Sequence, residues 1–155
     1  VTTTSELPDD LRERAASMLK DTAEAVAAHS QLRLENATYL IRRLMLTATG
    51  IGVDVRGWYD RDGGVDLSEV RDHAGRLLWR HGDGAPAETT TDQPGYRLRW
   101  QRLLADIENE LAAALDFSTP SECGWEELEL GDADDRPYWI ELPGGAAPLS
   151  HKVAT

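Results

Sequence analysis

Five aspartates, Asp54, Asp60, Asp62, Asp66 and Asp72, flank or lie within a stretch that contains Gly57, Gly63 and Gly64. Carboxylate oxygens on a turn that leads into a helix suit a hard cation such as calcium. The spacing opposes that use. A helix–loop–helix calcium loop needs a bidentate glutamate at its twelfth position. Counted from Asp60, that position is Arg71, and Glu69 falls two residues early. Turn formation and helix capping are the expected roles of these aspartates. His29, His73, His81 and His151 form no pair at helical metal-ligand spacing, and the single cysteine, Cys123, has no neighbouring ligand. No metal or cofactor is therefore expected. The chain has neither a glycine-rich phosphate loop nor a Gly-x-Ser-x-Gly elbow.

Arg76 and His81 stand five residues apart. This Arg-x4-His spacing resembles the signature of the HEPN family, all-helical domains that include ribonucleases. The resemblance implies that the two side chains bind and polarise a scissile phosphate, usually across a dimer. On one unbroken helix, however, residues five apart point about 140° away from each other. Trp58, Tyr59, Trp79 and Arg80 are further candidates for lining a pocket.

A different signal comes from the acidic residues. The formal charge is -12, from 28 acidic and 16 basic residues. Such a field disfavours phosphate backbones and anionic membrane surfaces. Glu122 to Asp135 carries seven acids and no base, interleaved with Trp125, Leu128 and Leu130. Acids keep such a segment solvated while its few apolar side chains anchor in a partner's groove. The candidate partner-binding residues are Trp125, Glu126, Glu127, Leu128, Glu129, Asp134 and Asp135. The competing reading packs Trp125 and Trp139 back on the domain.

The elements that must hold these residues read as helices. Tyr96, Trp100, Leu103, Leu104, Ile107, Leu111, Ala114 and Leu115 recur at three- and four-residue steps, which predicts a helix over 94–117. Pro8, Asp9 and Asp10 open a first helix that runs to about His29, with Leu11, Ala15, Met18, Leu19, Thr22 and Val26 as its inner stripe. A second helix over 32–49 is expected to be the most buried. A third over 66–81 starts at an Asp66/Glu69 capping box. Ile51, Val53 and Val55 alternate like a strand, as do residues 138–142, and the two pieces could pair as a small ribbon. The expected fold is mainly α: a four-helix bundle-like single domain with short non-helical or strand-like pieces near 51–58 and 138–142. Residues 1–117 form the bundle, 118–143 an acidic, Trp-containing C-terminal segment of the same domain, and 144–155 a disordered tail.

The longest apolar runs are far short of a membrane span, and Val1 to Leu7 lacks the pattern of a secretory signal, so a cytoplasmic location is expected. The preferred function is a non-catalytic adaptor, small subunit or inhibitor of a larger, basic protein. No direct nucleic acid or membrane contact is expected, and a homodimer is compatible with the sequence. One alternative is a helical ribonuclease using Arg76 and His81. A second is a nucleic-acid mimic, although acids and arginines are mixed on the predicted helices.

Overall fold

The computed structural model describes residues 7–61, 63–86, 96–129 and 135–144. Within them the order is α1 (Asp9–Arg42), β1 (Ala48–Asp54), α2 (Arg56–Asp60), β2 (Asp66–Asp72), β3 (Leu77–Arg80), α3 (Tyr96–Ala113), β4 (Glu126–Glu127) and β5 (Pro137–Glu141). The strands form one antiparallel sheet in the order β3-β2-β1-β5-β4. α3 packs on β2 and α1 on α3, and both helices share one core with the sheet.

Strand pairing decides which side chains meet the helices. Ile51 sits between Val70 and Ile140, and Val53 between Leu67 and Tyr138. These six are buried, and so is Trp79 opposite Val70. The neighbouring row, Arg80, Glu69, Gly52, Trp139 and Glu126, points to the other face. There the Trp139 ring lies against Gly50. A Cβ at Gly50 would stand 2.2 Å from a ring carbon, so only glycine fits beneath it.

α3 supplies the other half of the core through Trp100, Ile107, Leu111 and the buried Ala114 and Leu115 that follow it. Trp100 meets Trp79 edge-on at 5.2 Å. The Glu108 carboxylate accepts the Leu67 N–H at 2.8 Å and so ties α3 to β2. Burial raises the Glu108 pKa above the ordinary glutamate value, and nearby Asp66 adds to the rise. α1 runs antiparallel to α3. Arg33 and Asn36 reach Glu110, while His29 and Ser30 reach residues 113–116.

Several expectations are overturned. The fold is a mixed helix-and-sheet layer structure and not a four-helix bundle, with three helices among the described residues. The first two predicted helices are one helix of 34 residues. No glycine or proline separates them, and Ser30 is accommodated inside the helix because its hydroxyl donates to the Ala114 carbonyl at 2.7 Å. The third predicted helix is the β2–β3 hairpin. Leu67 and Val70 share a face at helix-like spacing because a bulge at Ser68 interrupts the register. The Asp72 carboxylate closes the hairpin by accepting the N–H groups of Ala74 and Arg76, and Gly75 takes a φ of 80°.

The pairing of 51–55 with 138–142 is present, but as the centre of a five-stranded sheet. It also makes the segment after residue 118 part of the same sheet as the residues before it. The expected tail over 144–155 lies outside the described residues beyond Gly144.

Candidate functional site: an open cleft under the overhanging helix

A helix of 34 residues is about 51 Å long, roughly twice the span of a seven-residue strand. α1 therefore overhangs. Its buried residues are Ser30, Leu34, Ala37, Thr38 and Ile41, all in the C-terminal half. The same face continues toward the N-terminus as Ala16, Leu19, Ala23, Val26 and Ala27. Of these only Val26 is even half-buried, and Leu19 is 72% exposed.

Beneath the start of this overhang lies a cleft of about 460 Å³. Ala23, Val26, Ala27 and Leu34 line it from α1, and Phe117, Cys123 and Trp125 from the segment after α3. The segment is fixed by local chemistry. The Thr119 N–H donates to the Glu122 carboxylate at 2.9 Å, and the Glu122 N–H to the Thr119 hydroxyl at 3.3 Å. That reciprocal pair is a capping box around one short turn, which Gly124 leaves with a φ of 79°. The turn delivers Cys123 and Trp125 to the cleft and keeps Glu122 at its rim.

At the end of α3 the Ala113 carbonyl accepts the Asp116 N–H at 3.1 Å, and the Ala114 carbonyl follows it. Side chains of α1 and the turn meet them. Ser30 donates to the Ala114 carbonyl, the Cys123 thiol approaches the same oxygen at 3.5 Å, and His29 Nε2 lies 3.1 Å from the Ala113 carbonyl. His29 Nε2 is also 3.2 Å from the Asp116 carboxylate, and its ring meets Phe117 edge-on at 5.3 Å. Phe117 is nevertheless 68% exposed. The walls of the cleft are thus pinned by hydrogen bonds, and Ser30, Gln31, Ser118 and Glu122 share its lining with the apolar side chains.

The electrostatics argue against nucleophilic chemistry here. Burial pushes the Cys123 thiol up, and the Glu122 charge pushes it further, against a hydrogen bond to Ser30. A protonated thiol at neutral pH is a poor nucleophile. The Glu122 carboxyl is held below the usual range by its bonds to Thr119 and stays charged at the rim.

The sequence-derived candidates are scattered. Trp125 is 5% exposed, belongs to the core and lines the cleft. Glu126 and Glu127 form β4 and are exposed. Leu128 is half-buried, with its N–H donating to the Pro137 carbonyl, and Glu129 is exposed. Asp135 lies 4.0 Å from Arg56, and Asp134 is outside the described residues.

Arg76 and His81 stand at opposite ends of β3, both exposed, and are not brought together. Arg76 pairs with Asp72 at 3.2 Å. The all-helical fold implied by the HEPN resemblance is not the fold observed.

The aspartates are occupied by turns. Asp54 accepts the N–H groups of Arg56 and Arg136, and Asp72 closes the hairpin. Asp62 is outside the described residues. Among the described residues no group of three or more histidine, cysteine, aspartate or glutamate side chains could hold a metal.

Trp58, Tyr59, Trp79 and Arg80 fall into two places. Trp58 meets Tyr59 edge-on, and Tyr59 faces the Tyr138 hydroxyl at 3.4 Å. Burial and this contact push Tyr138 up to about 12. Trp79 instead packs on Trp100 and donates to the Gly84 carbonyl, while Arg80 is exposed.

Of the inner stripe expected on the first helix (Leu11, Ala15, Met18, Leu19, Thr22 and Val26), Val26 lines the cleft and the others are exposed. Sequence reasoning missed that nothing from the described chain covers most of that stripe. Among the described residues no helix is long and apolar enough to cross a membrane. Comparison with known proteins found no matching family, no similar curated protein and no similar solved structure, so the site is read from its own geometry.

Proposed function

We propose that this chain is a non-catalytic protein-binding module that takes an apolar segment of a larger, basic partner in the cleft beneath α1. The observation that carries this reading is the continuation of the core-facing stripe of α1 past the end of the core, above a floor of Phe117, Cys123 and Trp125. Exposed apolar side chains around a concave surface mark interaction sites more often than scattered single residues do. Glu122 stands at the rim, Asp116 precedes the lining residue Phe117, and the whole chain carries -12, which favours cationic residues flanking the apolar segment.

The acidic 126–135 segment has a changed role in this reading. Glu126 and Glu127 contribute field from a sheet edge, and Trp125 contributes a wall.

The test uses a displayed library of random peptides. Selected peptides should combine two or three large apolar residues with flanking lysine or arginine. They should slow alkylation of Cys123, the single cysteine of the chain. Replacement Ala27→Arg fills the cleft from an exposed helix position and should weaken capture at least tenfold without loss of helicity. Peptides that bind Ala27→Arg as well as the parent, and that leave Cys123 equally reactive, would remove this assignment.

A further inference from the structure

The cleft uses one face of α1, and its opposite face carries a separate pattern. Leu11, Met18, Ala25, Leu32 and Tyr39 recur at seven-residue intervals along the helix. All five are exposed: Leu11 by 42%, Met18 by 70%, Leu32 by 54% and Tyr39 by 67%, with Ala25 open as well. At 100° per residue, these positions lie about 110–170° around the helix from the mean direction of the buried Ser30, Leu34, Ala37 and Ile41. The stripe therefore faces away from the sheet and α3. No member is charged, and Arg14 and Asp21 fall within the same angular span of the helix.

A seven-residue line of side chains is one that a second helix coiled around this one can follow, although a coiled-coil seam has two apolar positions per heptad and this line supplies one. A loop or a sheet edge has no use for that period.

The geometry points to a second copy of this chain as the occupant, with the two α1 helices antiparallel about a two-fold axis at Ala25. In that register Met18 lies against the partner's Leu32, and Leu11 against the partner's Tyr39. The smallest stripe residue falls at the crossing, where the backbones come nearest. The flanking charges match. Arg14 comes beside the partner's Glu35, and symmetry repeats that pair. A parallel pairing would instead bring the Asp9 and Asp10 ends together and align the two helix dipoles.

The bodies of the two protomers would lie on outer sides, clear of each other. Covering the four large stripe residues and their flanking stems removes about 500 Å² from each protomer, about 1,000 Å² in all, which reaches the lower range of specific interfaces.

Sedimentation of the full chain at about 100 µM should give twice the 17.1 kDa chain mass. The double replacement Met18→Glu with Leu32→Glu should return the mass of one chain while helicity measured by circular dichroism is kept. Arg14→Glu should weaken association several-fold, and adding Glu35→Arg should restore it. In a Cys123→Ser background, Ala25→Cys should oxidise to a covalent dimer. Met18→Cys should not, because its two copies stand roughly 21 Å apart along the antiparallel pair. A wild-type chain that sediments as a monomer, or a double-glutamate variant that stays dimeric, would overturn the proposal. Equal cross-linking at positions 18 and 25 would overturn the antiparallel register.

Discussion

The two halves of α1 share one backbone and a similar composition, yet they do different work. From Ser30 to Arg42 the helix buries five side chains and sends Arg42 to the ends of two strands, donating to the Ala48 carbonyl at 3.0 Å and the Pro143 carbonyl at 2.7 Å. From Asp9 to Ala28 only Val26 is even half-buried. Helices in proteins draw most of their stability from tertiary packing of a face, which this half lacks among the described residues. The N-terminal half is carried as an extension of a nucleus fixed by tertiary packing. Its apolar residues therefore stabilise the fold little and are free for intermolecular use. A stripe of hydrophobic residues at the helical period identifies a face, but only the surrounding chain decides whether that face is core or interface.

Substitutions in the two halves should separate accordingly. The largest effect is expected for Ile41→Ala, which empties a fully buried site. About 3 kcal/mol should be lost in urea unfolding, against about 0.5 kcal/mol or less for Leu19→Ala, where the side chain is 72% exposed. Equal losses would mean that Leu19 is covered in the unbound chain.

Ser30→Ala, at the junction of the halves, removes the buried donor to the Ala114 carbonyl and should cost about 1 kcal/mol, while Ser17→Ala on the overhang should cost nothing measurable.

The smallest effect is a pH dependence. Glu108 has its folded pKa raised by burial, so the folded state holds its proton more tightly than the unfolded state does. Its contribution to stability is fully present below the ordinary glutamate value. That contribution is lost as pH rises through the higher folded value. Glu108→Gln keeps an acceptor for the Leu67 N–H and should flatten this part of the urea midpoint between about pH 4 and 7. An unchanged slope would show that Glu108 titrates normally.

Local pattern was enough for α3, where Trp100, Ile107, Leu111, Ala114 and Leu115 are buried as their spacing implied. It failed for β2 and β3. Asp66–Asp72 is short and polar, and its bulge places Leu67 and Val70 three residues apart on one face, which imitates a helix. Only pairing with β1 makes it a strand.

In the acidic segment Trp125 is buried, as the reading that packs it back on the domain has it. Its N–H donates to the Pro120 carbonyl and its side chain shares the cleft with α1, and α1 lies far from it in sequence. The cleft could not be read from the chain. A helix that is amphipathic along its length gives no sign of where its partners stop.

The order of the strands has a consequence for time. β1 meets β2 through a short connection, but its other neighbour is β5, with Ile51 against Ile140. Contacts so distant along the chain form late, because closing a long loop costs entropy before pairing returns any stability. During synthesis β1, the central strand of the finished sheet, is therefore an edge until nearly all of the described chain has emerged. It is rich in small and β-branched residues, and in that interval it offers the unpaired backbone most prone to mispairing. The step that limits productive folding is then expected to be the arrival of β5, and the vulnerability of the nascent protein to sit in the strand that is best protected once folding is complete.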